Sequence, residues 1–268
     1  MGDFMQLVRN ENIKIYFRPR TYIMAGLLIG FVILISVMWL ILDGRETSMW
    51  TVAYWESFIL FLLVTIFSVV IAAVSVAEEF TSGTIKLLLI RPWSRSKILL
   101  SKYISVVLFA ALLTVMLFGS VWLVNWLCFG LFPSDTVKAI QEQFPGQENM
   151  NMSSLQFLFQ FYVLQFVTLL VMITLAFMLS TIFRSSALAI GLALFLLLSM
   201  SIVNSLLSLL NYTWIDYLLF THLDLTRYIG NTTDGDMTLG FSLGILAVYY
   251  ALFIAFTWYI FNKRDVAS

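Results

Sequence analysis

The sequence predicts an all-α, polytopic membrane protein with about six transmembrane helices, and three observations carry that reading. Hydrophobic residues make up 61% of the 268, charged residues only 11%, and the mean hydropathy is +0.94; a soluble domain has about a quarter of its residues charged. Six stretches, near 22–42, 53–77, 103–132, 156–183, 187–210 and 240–261, approach or exceed the roughly 20 apolar residues that one helical crossing needs. These runs are continuous, as over Leu192–Leu198, whereas a transmembrane strand alternates apolar and polar residues over about ten positions.

The distribution of Lys and Arg sets the expected orientation. With both termini inside, Arg9, Lys14, Arg18, Arg20, Lys86, Arg91, Arg95, Lys97, Lys102, Arg184, Lys263 and Arg264 fall on the cytoplasmic side, leaving Arg45, Lys138 and Arg227 outside. Asp43, Glu46, Asp135, Glu142, Glu148, Asp216, Asp224, Asp234 and Asp236 lean outward. The zero net charge therefore conceals two faces of opposite sign. The expected location is the cell membrane, with the chain as a single transmembrane domain over 1–268.

Taken in order, residues 3–20 mix Phe4, Leu7, Val8, Ile15 and Phe17 with basic residues. They suit a helix lying in the headgroup interface or, alternatively, a frayed basic tail; Pro19 would end the helix before the membrane. The leader is too long and polar for a cleaved signal. The first span contains Gly26 and Gly30 in G-x-x-x-G spacing, a pattern that lets another helix approach closely. Glu56, at the start of the second span, reads as a solvated boundary residue, or else as lining the outer part of a transport path. The third and fourth spans exceed one crossing, so tilt or extension is expected, and Cys128 has no partner for an intrachain disulfide. Ser134 or Asp135 caps a short helix bearing Val137, Ile140 and Phe144, which Pro145-Gly146 ends. Arg184 marks a tight inner turn. The fifth span adds Ser199, Ser201, Asn204, Ser205 and Ser208, small or polar groups able to bond across an interface. Residues 211–239, with Trp214, Ile215, Leu218, Leu219 and Leu223, suit half-inserted or interfacial helices.

The longest basic interruption runs from Glu78 to Lys102, EEFTSGTIKLLLIRPWSRSKILLSK. Gly83 breaks the preceding helix, Thr84–Arg91 is long enough for about two turns, and Pro92 stops them. Ser94 is placed to cap the next helix. This stretch resembles the permease subunits of ABC-2-type ATP-binding-cassette transporters. The likeness rests on Glu79, Gly83, Thr84, Leu88, Leu89, Pro92, Ser94, Arg95 and Lys102, about a tenth of the chain, with Trp93 and Ser101 as departures. It implies an ABC-2 (type V exporter-like) permease fold with 3–20 as an elbow helix, Glu11 and Lys14 matching its Glu-x-x-Lys. It also implies that residues 78–102 carry a coupling helix that docks on a separate ATPase. Glu79, Lys86, Arg91 and Arg95 would orient that helix through charge pairs, with Ile85, Leu88 and Leu89 packing. The first and fifth spans, with Gly26, Gly30, Ser201, Asn204 and Ser205, would meet a second permease copy or paralogue, and 211–239 would close the outer mouth.

The chain has no G-x-x-x-x-G-K-[ST] phosphate loop. ATP and Mg are therefore expected on a partner ATP-binding subunit, with membrane lipids as surroundings and no nucleic acid. The expected function is export, of antimicrobial, peptide or lipid-like substrates. An intramembrane enzyme is the first alternative. His222, the one histidine, and nearby Asp224 cannot complete a metal site, which usually takes three protein ligands. H-E-x-x-H and G-x-S-x-G are also absent, so His222 reads as an interfacial polar residue. No catalytic residue and no metal are expected. A self-sufficient secondary transporter or channel is the other alternative, disfavoured because the span centres hold few ionisable groups.

Overall fold

Helix α3 (Met49–Thr81) is the axis of the bundle, packing on α2 (Pro19–Leu42), α4 (Arg95–Phe129), α5 (Ser154–Ile182) and α6 (Ser186–Leu207). The structure, a computed structural model, describes residues 2–42, 48–84, 93–130, 153–183, 185–207, 213–229, 233–234 and 237–263. Helix α1 (Gly2–Tyr16) lies against α4, and α7 (Leu239–Lys263) closes on α5. Among the described residues, α2, α3, α4, α5 and α7 are long and apolar enough to cross a membrane. Helix α6 contributes a shorter apolar segment, Ser186–Met200, at the predicted fifth span.

The helix ends follow local chemistry. The first helix stops at Tyr16, just ahead of Pro19, and Pro19 also opens α2, because the missing N–H of proline costs nothing at a first helical position. Helix α3 runs through Glu78 and Glu79 to Thr81, and Gly83 (φ 71°) turns the chain in the left-handed region that glycine alone enters freely. Ser94 stands at the N-cap of α4 with extended backbone, yet its hydroxyl makes no capping bond; its carbonyl accepts from the Lys97 and Ile98 amides. In residues 211–239, expected as half-inserted or interfacial helices, the described part forms short 3-10 helices at Thr213–Tyr217, Leu219–His222 and Thr226–Tyr228. A two-residue hairpin follows, β1 (Thr233–Asp234) on β2 (Met237–Thr238). Leu219, Leu225, Tyr228 and Ile229 are buried there, so this region is packed into the helices. The short helix expected after Asp135 and the turn at Arg184 lie outside the described residues.

An apolar solvent leaves no water to satisfy polar groups inside the bundle. Hydroxyls therefore fold back onto their own helix, as Thr114 does on Ala110 O (2.9 Å) and Thr257 on Phe253 O (2.6 Å), or tie helices together. Tyr103 Oη bonds both Thr174 Oγ1 (2.8 Å) and Tyr250 Oη (3.0 Å), joining α4, α5 and α7. Ser57 and Tyr162 join α3 to α5 at 2.8 Å. Ser180 of α5 accepts from the Val76 (3.0 Å) and Ala77 (2.9 Å) amides of α3. In a regular helix those amides bond to the Ala72 and Ala73 carbonyls, and here Ser75 Oγ donates to Ala72 O (2.8 Å). Tyr103→Phe keeps the ring on Phe177 (centroids 5.4 Å apart) and deletes only the hydroxyl. It should cost about 1 kcal/mol, read as a lower melting temperature of the purified chain in detergent.

Candidate functional site: an ionic square at one end of the bundle

At the end of the bundle where α1 meets α3 and α4, two carboxylates and two ammonium groups form a closed, neutral square. Lys102 Nζ donates to Glu11 Oε2 (2.8 Å) and Glu79 Oε1 (3.0 Å). Lys14 Nζ donates to Glu11 Oε1 (2.9 Å) and Glu79 Oε1 (3.2 Å). Thr84 Oγ1 donates to Glu79 Oε2, so all four carboxylate oxygens are engaged. The Lys102 side chain is 5% exposed, against 11% for Glu11, 13% for Glu79 and 46% for Lys14. Burial disfavours the Glu11 charge, but Lys102 and Lys14 more than offset it and hold the carboxyl below its usual range.

Local sequence explains how these side chains converge. Glu11 and Lys14, three apart, share one face of α1, whose Leu7, Val8 and Ile15 are buried. Ser105 Oγ donates to Val8 O (3.3 Å), and Thr21 Oγ1 bonds Ile15 O (2.5 Å), fixing α1 on α4 and α2. Beside the square, Arg18 Nη1 donates to both Glu78 oxygens (2.6 and 2.7 Å), with Arg20 Nη2 at 3.8 Å. A cavity of about 40 Å³ lies among these ionic side chains.

Of the residues singled out in the sequence, Glu79, Thr84 and Lys102 are brought together here, and Gly83 forms the turn beside them. Arg95 is placed differently: its Nη1 donates to Asn262 O (3.3 Å) in the last turn of α7, where a cation meets the partial negative charge of the helix end. Lys86, Leu88, Leu89, Arg91 and Pro92, with Ile85, lie outside the described residues. Gly26 and Gly30 lie on an exposed face of α2, where a Cβ would meet nothing within 4 Å. Asn204 is half-buried and Ser205 exposed on α6.

Two expectations are overturned. Glu56 is not a solvated boundary residue: it is fully buried, accepting from Ser36 Oγ and Asn125 Nδ2, each at 2.6 Å, and so ties α3 to α2 and α4. His222 is not interfacial but fully buried. Its Nε2 donates to Asp216 O (2.7 Å), so its Nδ1 is left to accept from Ser242 Oγ (2.9 Å), which Tyr228 Oη also bonds (2.8 Å). Burial lowers the His222 pKa, in keeping with a neutral ring. Sequence reasoning missed Glu78, Arg18 and Arg20 as partners. Two adjacent glutamates at the end of an apolar span were the available signal, since charges there need counterions. No cluster of metal-ligating side chains occurs among the described residues.

This architecture defines the chain as a multi-pass, all-α membrane protein. It belongs to the family described as "Protein of unknown function (DUF2705)", whose model matches residues 22–267. Two relatives from Bacillus subtilis (strain 168) agree. "Uncharacterized protein YhcI" is 39% identical over 208 residues, covering 77% of this chain and 66% of the relative, so the match spans just under two thirds of that protein. "Uncharacterized membrane protein YdbK" is 31% identical over 207 residues, 76% of this chain and 78% of the relative.

Lys102→Met leaves two buried carboxylates sharing the half-exposed Lys14, and should destabilise the fold by about 3–5 kcal/mol. Lys14→Met should cost about 1 kcal/mol or less. Thermal unfolding of the purified variants measures both. The Glu11 contribution should be complete above about pH 4.3, the ordinary glutamate value, and fall away as the pH drops towards the lower folded value. Acid unfolding of Glu11→Gln, compared with the parent, should show that loss of pH dependence.

Proposed function

We propose that this chain is the membrane-spanning permease subunit of an ATP-binding-cassette exporter, coupled to a separate ATPase. The observation that supports this best is the way both ends of the basic stretch are anchored. Glu79, holding Thr84, stands just before residues 85–92, and Lys102 follows them; both bind Glu11 of α1 or its partner Lys14. A segment held at its two ends on α3 and α4 passes force to those helices when an ATPase pushes on it, which is what a coupling helix must do.

In this reading the chain crosses the plasma membrane six times with both termini in the cytoplasm. ATP and Mg bind the partner ATPase. A second permease copy meets the bare face of α2 around Gly26 and Gly30, with the stretch of α6 that holds Ser201, Asn204 and Ser205 as its other expected contact. The substrates are amphipathic antimicrobials, peptides or lipid-like molecules. Glu56, an ionisable group buried in a span, is the one observation favouring a self-sufficient transporter. Substrate movement by the chain reconstituted without ATP would establish that alternative instead.

The test is purification of the tagged full chain from native membranes. A co-purifying subunit should hydrolyse ATP and carry a phosphate-binding loop. Leu88→Asp should remove that subunit while the permease still inserts, because truncating a central interface side chain typically costs about 2 kcal/mol or more and a buried charge costs further. An unchanged ATPase complex with full transport in Leu88→Asp would reject this face as the coupling surface.

A further inference from the structure

A second site lies at the opposite end of α3. Trp55 and Glu79 are 24 positions apart, roughly 36 Å along a helix, which is more than the hydrocarbon thickness of a bilayer. There a pocket of about 280 Å³ opens between the first turns of α3 and α5 and the 3-10 turns before α7. Tyr54, Trp55, Phe58 and Phe157 form one side, and Asp224 and Arg227 the other. The rings pack about Tyr54, with centroids 5.7 Å to Trp55, 5.3 Å to Phe157 and 6.4 Å to Phe58. They make a continuous aromatic wall rather than isolated side chains.

The polar side is held in place. Asp224 Oδ1 accepts from the Thr226 amide (3.1 Å) and hydroxyl (2.5 Å), which fixes the carboxylate while Oδ2 takes no hydrogen bond among the described residues. Arg227 is directed elsewhere: its Nη2 donates to Thr221 O (2.7 Å), and its guanidinium lies 5.0 Å from the Tyr228 ring centre. The group that fits an oriented carboxylate facing aromatic rings is an organic cation, attracted by the charge and by the ring quadrupoles together. An anion would meet the carboxylate and an arginine already occupied.

We propose that this pocket binds the cationic headgroup of an amphiphile, an ammonium with its alkyl substituents on the aromatic wall and its charge against Asp224. The volume suits a headgroup and not a whole lipid or peptide. The headgroup has two sources, a choline-bearing membrane lipid or a soluble ammonium compound. The site stands whether or not an ATPase docks at the far end of the bundle, because binding needs only this chain.

The experiment is equilibrium dialysis of radiolabelled benzyltrimethylammonium, a probe too polar to enter lipid or micelle, against the full chain in an uncharged maltoside detergent. Binding should be saturable. Asp224→Asn preserves the Oδ1 acceptor for Thr226 and removes the charge, and should weaken binding about tenfold. Trp55→Leu and Phe58→Leu should each weaken it several-fold; the Phe58 ring is 49% exposed, so its loss spares the core. Asp216→Asn, a carboxylate outside the pocket, should bind as the parent does. Absence of saturable binding, or equal binding in Asp224→Asn and Phe58→Leu at unchanged melting temperature, would overturn the proposal. Repeating the assay in nanodiscs of phosphatidylglycerol with and without phosphatidylcholine separates the sources. Loss of probe binding as choline lipid is added identifies the lipid headgroup, and indifference to it identifies a soluble cation.

Discussion

The Lys102 ammonium is the point on which one end of the bundle depends. It is almost entirely removed from solvent, and an isolated ammonium so placed would lose its charge or expel its helix. Two carboxylates from two other helices pair with it, Glu11 at 2.8 Å and Glu79 at 3.0 Å. Its position on α4 thereby dictates where α1 lies, because Glu11 must reach it, and how far α3 continues past the apolar run, because Glu79 must reach it too. Lys14 then brings the count to two positive and two negative groups. The arrangement is costly to break and adds little to an already hydrophobic core; what it provides is register. Three helices that would otherwise slide along greasy surfaces are fixed at one level.

The helices were legible in the sequence because their cause is local. Length and continuous hydropathy suffice for α2, α3, α4, α5 and α7, and Gly83 marks the end of α3 through a backbone conformation that belongs to glycine. Pro19 was half legible: it marks the break after α1, while its place as the first residue of α2 shows only in the structure. The square was half legible. Glu11 with Lys14 and Glu79 with Lys102 were each visible as members of a motif, but they lie 65 to 91 positions apart across the square, a distance that no spacing rule connects.

Glu56 and His222 were misread for a common reason. Each stands near the end of an apolar run, where sequence allows a side chain to reach water. Burial depends on partners supplied from other elements: Ser36 and Asn125 for Glu56, Ser242 and Tyr228 for His222. None of these has a signature, since a serine or asparagine in a span is as often folded back on its own carbonyls. The polar residues of this bundle were thus predictable in kind, as groups that must be satisfied internally, and unpredictable in pairing.

The two ends of α3 carry different polar arrangements, and one continuous helix joins them. In the square both carboxylates and both ammonium groups are paired across α1, α3 and α4. At the other end Asp224 is exposed, and Thr226 orients it through one carboxylate oxygen beside the aromatic rings of the pocket. Close to the square, Ser180 takes two backbone amides of α3 just before Glu78 and Glu79, a place where the helix is held by its neighbour as well as by itself. The square's end of α3 is therefore tied to α5 at Ser180. Helix α5 also supplies Phe157 to the pocket. Two helices packed on each other, α3 and α5, thus both reach the pocket, and α3 also reaches the ionic end of the bundle.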